Sequence, residues 1–213
     1  MDETTVYYER RAAEYDRIYD LPRWQQDLAT LRDLVATFAA ERRVLELACG
    51  TGYWTERLAR TAARVCGVDV NASTLVVART RSYGPAAVTL VQADVYRPLP
   101  LAPRFDDGFA GLWLSHVDRA RMPAFLDAFH SALAPGSAVM LFDERETESR
   151  AGATARFDAA GNRYEKRRLA DGSRFEILKN WYDAATLAAL FRGRGHAFWW
   201  RELEHFWVCA YSL

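Results

Sequence analysis

The sequence has few cysteines, no net charge and no long apolar run, and each of these three features argues against a class of protein. Its three cysteines, Cys49, Cys66 and Cys209, are widely spaced and odd in number. This argues against a disulfide framework and against a zinc site, because both use several cysteines at set spacings. We therefore expect free thiols, no bound metal and a cytoplasmic protein.

The charge balance removes any overall attraction to polyanions. The 28 basic and 28 acidic side chains give a formal net charge of zero, so nucleic acid or an anionic membrane would exert no global pull on the chain. No apolar run approaches the ~18 residues of a transmembrane helix, and the polar residues 1–5 are unlike a signal peptide. We expect no nucleic-acid partner and no membrane partner.

What is present is a chain long enough to bury a sizeable core. Half of its 213 residues are hydrophobic, and without a repeat or a linker they are predicted to form one domain, 1–213. Strand-like segments alternate with helical ones, which predicts a doubly wound α/β fold, a mostly parallel sheet with helices on both faces. Its seven strands are predicted at 43–48, 65–69, 87–92, 109–114, 138–142, 198–203 and 206–211, the last two forming an antiparallel pair.

Two further parts are predicted around this sheet. Tyr8, Ala12, Tyr15 and Tyr19 follow one another at helical spacing, and a second helical stripe runs from Trp24 to Phe38. The turn signal Asp171-Gly172 separates two strand-like segments and predicts a β-hairpin. We therefore expect an N-terminal helical cap over 1–40, a ligand-binding core over 41–145, and a hairpin insertion with the closing strands over 146–213.

The segment Glu46-Leu-Ala-Cys-Gly-Thr-Gly52 follows the first predicted strand. Its glycines permit a tight turn and a close ligand approach, and the helix start behind them offers N–H groups to an anion. Asp69 ends the second strand, where a carboxylate can accept both hydroxyls of a ribose. Nicotinamide-binding loops share this architecture but have a third glycine, and Thr55 stands at that position.

Together with Gln92-Ala-Asp94 after the third strand, this motif resembles the class I S-adenosylmethionine-dependent methyltransferases. The resemblance covers most of the chain. It implies a Rossmann-like fold, S-adenosylmethionine as the cofactor and S-adenosylhomocysteine as the product. It says little about which molecule accepts the methyl group.

The resemblance also implies which residues bind the cofactor. Asp69 would hold the ribose diol and Asp94 would accept from the adenine amino group; the alternative is that both acids are turn or helix-cap residues. The other positions implied are Glu46, Ala48, Gly50, Thr51 and Gly52 in the loop beside the methionine portion, Val70 and Val95 near the adenine, Leu114 near the methionine end, and Tyr15 on a helix that covers the cofactor.

Methyl transfer from a sulfonium is an in-line displacement in which positioning supplies much of the catalysis. His116 follows the fourth strand and is the candidate general base; the alternative is that it orients a loop or only touches the substrate. Arg11 could pair with the methionine carboxylate. Asp143 and Glu144, after the fifth strand, are more simply solvated loop acids.

The acceptor is predicted to be a small molecule methylated on oxygen or nitrogen by a monomer or homodimer. The fourth strand lacks the Asp/Asn-Pro-Pro-aromatic motif of base methylation. The basic cluster Arg163, Lys166, Arg167 and Arg168 is predicted to be a solvated face, or else to contact an acidic substrate. Two other functions stay open: a non-catalytic protein that binds S-adenosylmethionine for regulation, and a nicotinamide-dependent oxidoreductase.

Overall fold

The structure, a computed structural model, describes residues 2–99, 104–147 and 155–213. Its helices are α1 (Glu3–Arg11), α2 (Gln25–Ala39), α3 (Tyr53–Leu58), α4 (Ala72–Ala78), α5 (Met122–Ser131) and α6 (Ala184–Phe191). Its strands are β1 (Arg43–Leu47), β2 (Arg64–Asp69), β3 (Ala87–Gln92), β4 (Phe105–Gly111), β5 (Leu133–Glu144), β6 (Ala155–Phe157), β7 (Arg163–Arg168), β8 (Arg174–Leu178), β9 (His196–Glu202) and β10 (Phe206–Ser212). Residues 148–154, within the predicted insertion, lie outside the described residues.

Seven of the described strands form one sheet in the order β3-β2-β1-β4-β5-β10-β9. The first five are parallel to one another, and β10 is antiparallel to both β5 and β9. The predicted doubly wound, mostly parallel sheet with an antiparallel closing strand is confirmed. The strand order reverses at β1 and β4, so the carboxyl ends of these two strands flank the crevice in which such folds bind ligands.

Helices cover both faces of the sheet, as predicted. On one face Leu28, Leu31 and Val35 of α2, at helical spacing, pack with α3 against β1. On the other face Leu126 and Phe129 of α5 pack with α6 against β4 and β5. Because burial of apolar area is the main stabilising contribution, these two layers hold the strand ends in place.

The fourth strand begins and ends earlier than the predicted 109–114. Asp106 and Asp107 interrupt the apolar pattern, but both lie within β4. Their carboxylates accept hydrogen bonds from the guanidinium groups of Arg43, at 2.6 Å, and Arg42, at 2.7 Å. The two arginines lie just before and at the beginning of β1, so a pattern that looks for apolar residues within one segment misses these ion pairs.

The predicted N-terminal helix is divided into two parts. α1 ends at Arg11, and the chain continues as a 3₁₀ helix, Ala12–Asp20; the expectation of one continuous α-helix is wrong from that point. Asp16 in the second part accepts a hydrogen bond from Thr51 Oγ1 at 2.5 Å and pairs with Arg81. This anchor to the glycine loop is tertiary, so the local spacing of tyrosines could not reveal it.

The predicted hairpin is confirmed as β7 and β8, joined by a turn at Asp171-Gly172. It carries an additional strand, β6, which makes a three-stranded sheet. This small sheet packs on α1: the N–H groups of Glu176 and Leu178 donate to the side chains of Glu3, at 2.7 Å, and Thr4, at 3.0 Å. α1 and the small sheet therefore form one wall over the carboxyl ends of the main strands.

All three cysteines are buried free thiols. Within the described ranges, no helix combines the length and the apolar character needed to cross a bilayer. Over the same residues, no cluster of three or more His, Cys, Asp or Glu side chains is arranged to hold a metal ion.

Candidate functional site

The glycine loop after β1 is held in a left-handed backbone conformation. The φ angles are +52° at Ala48, +55° at Gly50 and +77° at Gly52. A Cβ atom on Gly52 would collide with the hydroxyl of Tyr83 and lie 3.1 Å from the Cβ of Ala78. A Cβ atom on Gly50 would meet nothing within 4 Å. Gly52 therefore serves packing, whereas Gly50 leaves open space at the strand ends.

That space is a cavity of about 420 Å³ between the strand ends, α1 and the 3₁₀ helix after it. Predicted site residues that line it are Tyr15, Glu46, Ala48, Gly50, Thr51, Asp69, Val70, Asp94, Val95 and His116. Leu114 is buried in the core on the α5 side instead. The chain turns sharply at Leu112, where φ is +57°, so Leu112 and Trp113 take the place predicted for Leu114.

The carboxylate of Asp69 faces this first cavity from the end of β2. One oxygen accepts the N–H of Gly50 and the other the N–H of Asn71, both at 2.8 Å. The Thr74 hydroxyl lies 3.2 Å from Asp69, but its single hydrogen has a shorter path to the carbonyl oxygen of Asn71, at 2.9 Å. Burial raises the pKa of Asp69. Since a carboxylate offers about four acceptor positions, the two N–H bonds fix the group and leave two positions for a ligand.

Asp94 fulfils the turn role considered as its alternative and also lines the first cavity. Its carboxylate accepts the N–H of Tyr96 at 2.9 Å and lies 3.5 Å from Arg97. Val95 beside it is buried, and Val70, after the neighbouring strand β2, is 40 % exposed. Both valines line the cavity and offer it apolar surface.

Glu46 is a buried acid at the base of the same cavity. Thr55 donates its hydroxyl hydrogen to the Glu46 carboxyl over 2.5 Å. Burial raises the pKa of Glu46 to about 8, because the charged form loses its hydration. Thr55 occupies the third-glycine position of nicotinamide-binding loops, and its fully buried side chain here joins helix to strand by this hydrogen bond.

The imidazole of His116 is held at both nitrogens. Nδ1 lies 2.5 Å from the carbonyl oxygen of Leu178, which can only accept, so Nδ1 carries the hydrogen. Nε2 then accepts from the hydroxyl of Tyr8 at 2.9 Å. Burial, and then the nearby Lys179, lower the pKa of His116 to about 4. The ring is therefore neutral at physiological pH.

The tyrosines of the N-terminal segment form a connected aromatic wall. Tyr8 and Tyr15 contact edge to face, with ring centroids 5.7 Å apart. Tyr19 is buried and stacks on Tyr53 at 3.5 Å. Burial raises the pKa of Tyr8 and of Tyr15, so both phenols keep their protons at neutral pH.

A second cavity, of about 600 Å³, lies on the other side of this wall. Tyr8, Tyr15, Leu112 and His116 line both cavities. The remaining residues of the second cavity are Tyr7, Arg11, Ile18, Leu21, Arg23, Trp24, Glu144, Arg167 and Lys179. Arg11, expected beside the cofactor, therefore lines the second cavity.

Asp143 is not the solvated acid that the sequence predicts. It is fully buried at the end of β5 and accepts hydrogen bonds from the N–H of Ser115 and from Lys179, both at 2.9 Å. The basic cluster also divides: Arg163 is buried and paired with Glu165. The expected solvated face is therefore wrong for Arg163, because its charge is matched by an acid in the same sheet.

Several residues of the first cavity carried no signal in the sequence. Thr5 and Asn71 meet through a 3.3 Å hydrogen bond from the Asn71 amide to the Thr5 carbonyl. Arg121 stacks on the ring of Tyr96, with its guanidinium 3.5 Å from the ring centroid. These contacts join segments far apart in the chain, so no local motif marks them.

Comparison with known proteins gives a consistent family. A model described as a methyltransferase domain matches residues 44–136. A solved complex of DhpI with SAH is 30% identical, with 98% of this chain and 94% of that chain covered and a TM-score of 0.76. A complex of DhpI with SAM and HEP is 29% identical, covers 98% and 95%, and has a TM-score of 0.79.

A more distant structure shares the fold. The N-methyltransferase NodS from Bradyrhizobium japonicum WM9, in complex with S-adenosyl-L-homocysteine, is 20% identical. The match covers 99% of this chain and 98% of that chain, with a TM-score of 0.69. No curated protein sequence matches significantly.

Proposed function

Because the chain belongs to the class I S-adenosylmethionine-dependent methyltransferases, we propose that it methylates an oxygen or nitrogen atom of a small molecule. S-adenosylmethionine is its cofactor. The observation that carries the proposal is the pair of cavities that meet at Tyr8, Tyr15 and His116. Two cavities with a common wall fit a reaction in which one group passes between two bound molecules.

The residues of the first cavity fit the cofactor. Gly50 leaves space where any side chain would intrude, and the Asp69 carboxylate is fixed in place to accept ribose hydroxyls. Val70 and Val95 offer apolar surface to the adenine ring. When bound, S-adenosylmethionine supplies a methyl group activated by its attachment to a positively charged sulfur.

The second cavity is where the acceptor would bind. It is lined by the N-terminal segment on one side and by Lys179 and Arg167 at the small sheet on the other. A cavity of about 600 Å³ suits a small molecule. Holding the acceptor atom at the common wall supplies the positioning on which displacement reactions depend.

His116 and Tyr8 would receive the proton of an acceptor that must lose one. The acceptor gives its proton to the oxygen of Tyr8 while the Tyr8 hydrogen passes to Nε2 of His116, whose lone pair already accepts that hydroxyl. The imidazolium that forms keeps its Nδ1 hydrogen on the carbonyl of Leu178. The ring starts neutral, so its Nε2 lone pair is available for the proton, and its lowered pKa makes it a weak base.

Calorimetric titration with S-adenosylhomocysteine, and with NADH in parallel, tests the first half of this proposal. We expect micromolar binding of the first ligand and none of the second. A screen of small alcohols, acids and amines for formation of S-adenosylhomocysteine tests the second half. A protein that binds the cofactor but methylates none of them, and does not slowly break it down, would be a regulatory binding protein.

A further inference from the structure

The second cavity is strongly basic. Arg11, Arg23, Arg167 and Lys179 line it, and Glu144 is its one acidic lining residue among those described. The aromatic and aliphatic residues between them leave the charges in a partly apolar setting, where Coulomb interactions are stronger than in water. The question is which of these charges the protein itself balances.

Two of the cations are balanced by acids of the fold. Lys179 pairs with Asp143 at 2.9 Å and with Glu144 at 3.4 Å. Arg167 pairs with Glu165, but the same carboxylate also pairs with Arg163. One acid therefore balances two arginines while two acids balance Lys179, so these three cations and three acids are equal in number.

The other two cations are held by aromatic rings. The guanidinium carbon of Arg11 lies 5.6 Å from the ring centroid of Tyr7 and 5.4 Å from that of Tyr15. The guanidinium carbon of Arg23 lies 5.8 Å from the ring centroid of Trp24. In the part of the chain that the structure describes, neither arginine forms an ion pair. A ring contact holds the face of a guanidinium and leaves the N–H donors in the guanidinium plane available for hydrogen bonds.

We propose that the methyl acceptor carries an oxyanion, either a carboxylate or a phosphate-type group, which Arg11 and Arg23 bind. This inference rests on the proposed function, since it concerns the acceptor of that same reaction. Guanidinium groups match such oxyanions with two parallel hydrogen bonds. The contact of Arg11 with Tyr15 places the anion site next to the wall that both cavities share.

Charge supports the same acceptor class. The first cavity is to receive a cationic sulfonium, and the second already holds more cations than acids. A neutral or cationic acceptor would leave these positive charges uncompensated, whereas an anion compensates them. The enzyme should therefore select an anionic molecule over a neutral one of the same shape.

Three probes of similar shape test this selection. Benzoate, phenyl phosphate and neutral benzamide are titrated into the protein by calorimetry, with and without saturating S-adenosylhomocysteine. We expect at least one anion to bind at least tenfold more tightly than benzamide. A preference for benzoate indicates a carboxylate acceptor, and a preference for phenyl phosphate indicates a phosphate-type acceptor.

Variants locate the binding group. Arg11→Gln and Arg23→Gln should each weaken binding of the preferred anion about tenfold and leave the affinity for S-adenosylhomocysteine unchanged. Arg17→Gln, on the same segment but outside the cavity, is the matched control and should change neither. Arg23 is exposed, so its variant is expected to fold even where Arg11→Gln does not.

Equal binding of the three probes, or of no probe, would overturn the anionic acceptor and leave the cofactor assignment standing. So would an Arg23→Gln variant that binds the anion as tightly as the wild-type protein. A protein that takes up anions but no S-adenosylhomocysteine would instead contradict the proposed methyl transfer. The two proposals therefore fail separately.

Discussion

The hydroxyl of Tyr8 lies 2.9 Å from Nε2 of His116, although the two residues are 108 positions apart in the chain. α1 brings the tyrosine, and the turn after β4 brings the histidine. Both side chains line the cofactor cavity and the second cavity, so the pair stands at the junction of the two.

Replacing either member of this pair should slow turnover without weakening cofactor binding. We expect His116→Ala to lower kcat about 10²-fold or more, as for the loss of a general base, and Tyr8→Phe to lower it less. The affinity for S-adenosylhomocysteine should change less than threefold. Single-turnover rates with an acceptor found in the screen, and calorimetry, provide these measurements.

The matched control is the other His–Tyr pair. Nε2 of His130 lies 2.8 Å from the hydroxyl of Tyr211, and its pKa is also lowered to about 4 by burial, but it lines neither cavity. His130→Ala should leave kcat unchanged.

Because His116 is neutral above pH 4, kcat should stay level from pH 8 to about 5. Unaltered kcat in His116→Ala would remove the base role.

The two glycines of the loop should respond to alanine in opposite ways. Gly52→Ala forces a Cβ onto the Tyr83 hydroxyl at φ +77°, so we expect stability to fall by about 2–4 kcal/mol. Gly50→Ala carries the left-handed strain of about 1–2 kcal/mol alone, but its Cβ enters the cofactor cavity. Urea unfolding measures the first effect and titration with S-adenosylhomocysteine the second.

A second change separates collision from backbone strain. Tyr83→Phe removes the hydroxyl that the new Cβ would strike. The double variant Gly52→Ala with Tyr83→Phe should therefore lose less stability in urea unfolding than the sum of the losses of the two single variants. Simple additivity would mean that the collision is relieved by other means. Unweakened cofactor binding in Gly50→Ala would place the cofactor away from the loop.

The parts of the site that the sequence predicted are local. The glycine loop, Asp69 and Asp94 each follow a predicted strand, and parallel strands end at the same edge of a sheet. The second cavity was not predictable in this way. Its cationic lining depends on how α1 packs on β8, and Lys179 reaches Asp143 across 36 positions of the chain. Such approaches leave no periodic trace.

Leu114 is an instructive error of the same kind. A strand predicted to continue to residue 114 would place this side chain at the ligand edge. The left-handed turn at Leu112 ends the strand earlier, and Leu114 enters the core. An alternating pattern cannot locate such a turn, because a leucine with positive φ is held there by its tertiary contacts.

Replacing Asp69 should weaken cofactor binding. Asp69→Asn keeps the shape of the side chain but removes the negative charge of the oxygens that would accept the ribose hydroxyls. We expect the binding free energy of S-adenosylhomocysteine to fall by about 1–3 kcal/mol. Asp33→Asn, on the exposed face of α2, is the control for a lost acid. An affinity equal to that of the wild-type protein would remove Asp69 from the ribose site.

The buried acid Glu46 should make stability depend on pH. Its pKa is raised to about 8 in the folded protein and is near 4.3 when unfolded, so the folded state holds the proton more tightly. Its contribution to stability is therefore lost as pH rises between these values, about 5 kcal/mol in total. Urea unfolding from pH 5 to 9 measures the slope.

Glu46→Gln removes this titration and should flatten the slope over that range, so that the variant becomes relatively more stable toward pH 9. Glu204→Gln, which replaces an exposed acid, should keep the wild-type slope. Identical slopes for Glu46→Gln and the wild-type protein would mean that Glu46 is ionised in the folded state, with its charge compensated by the loop.

The buried ion pair of Lys179 and Asp143 should be costly to break from one side. Both side chains are at most 3 % exposed, so Lys179→Met leaves the carboxylate of Asp143 without its cation, and we expect a loss of about 3–5 kcal/mol by urea unfolding. Adding Asp143→Asn removes the negative charge, and the amide oxygen of the new side chain can still accept one backbone N–H, so the double variant should regain about half of the loss.

The control is Arg145→Met, which breaks the exposed pair with Glu202 and should cost less than about 1 kcal/mol. A double variant no more stable than Lys179→Met would locate the effect in lost packing of the lysine chain rather than in the unpaired charge.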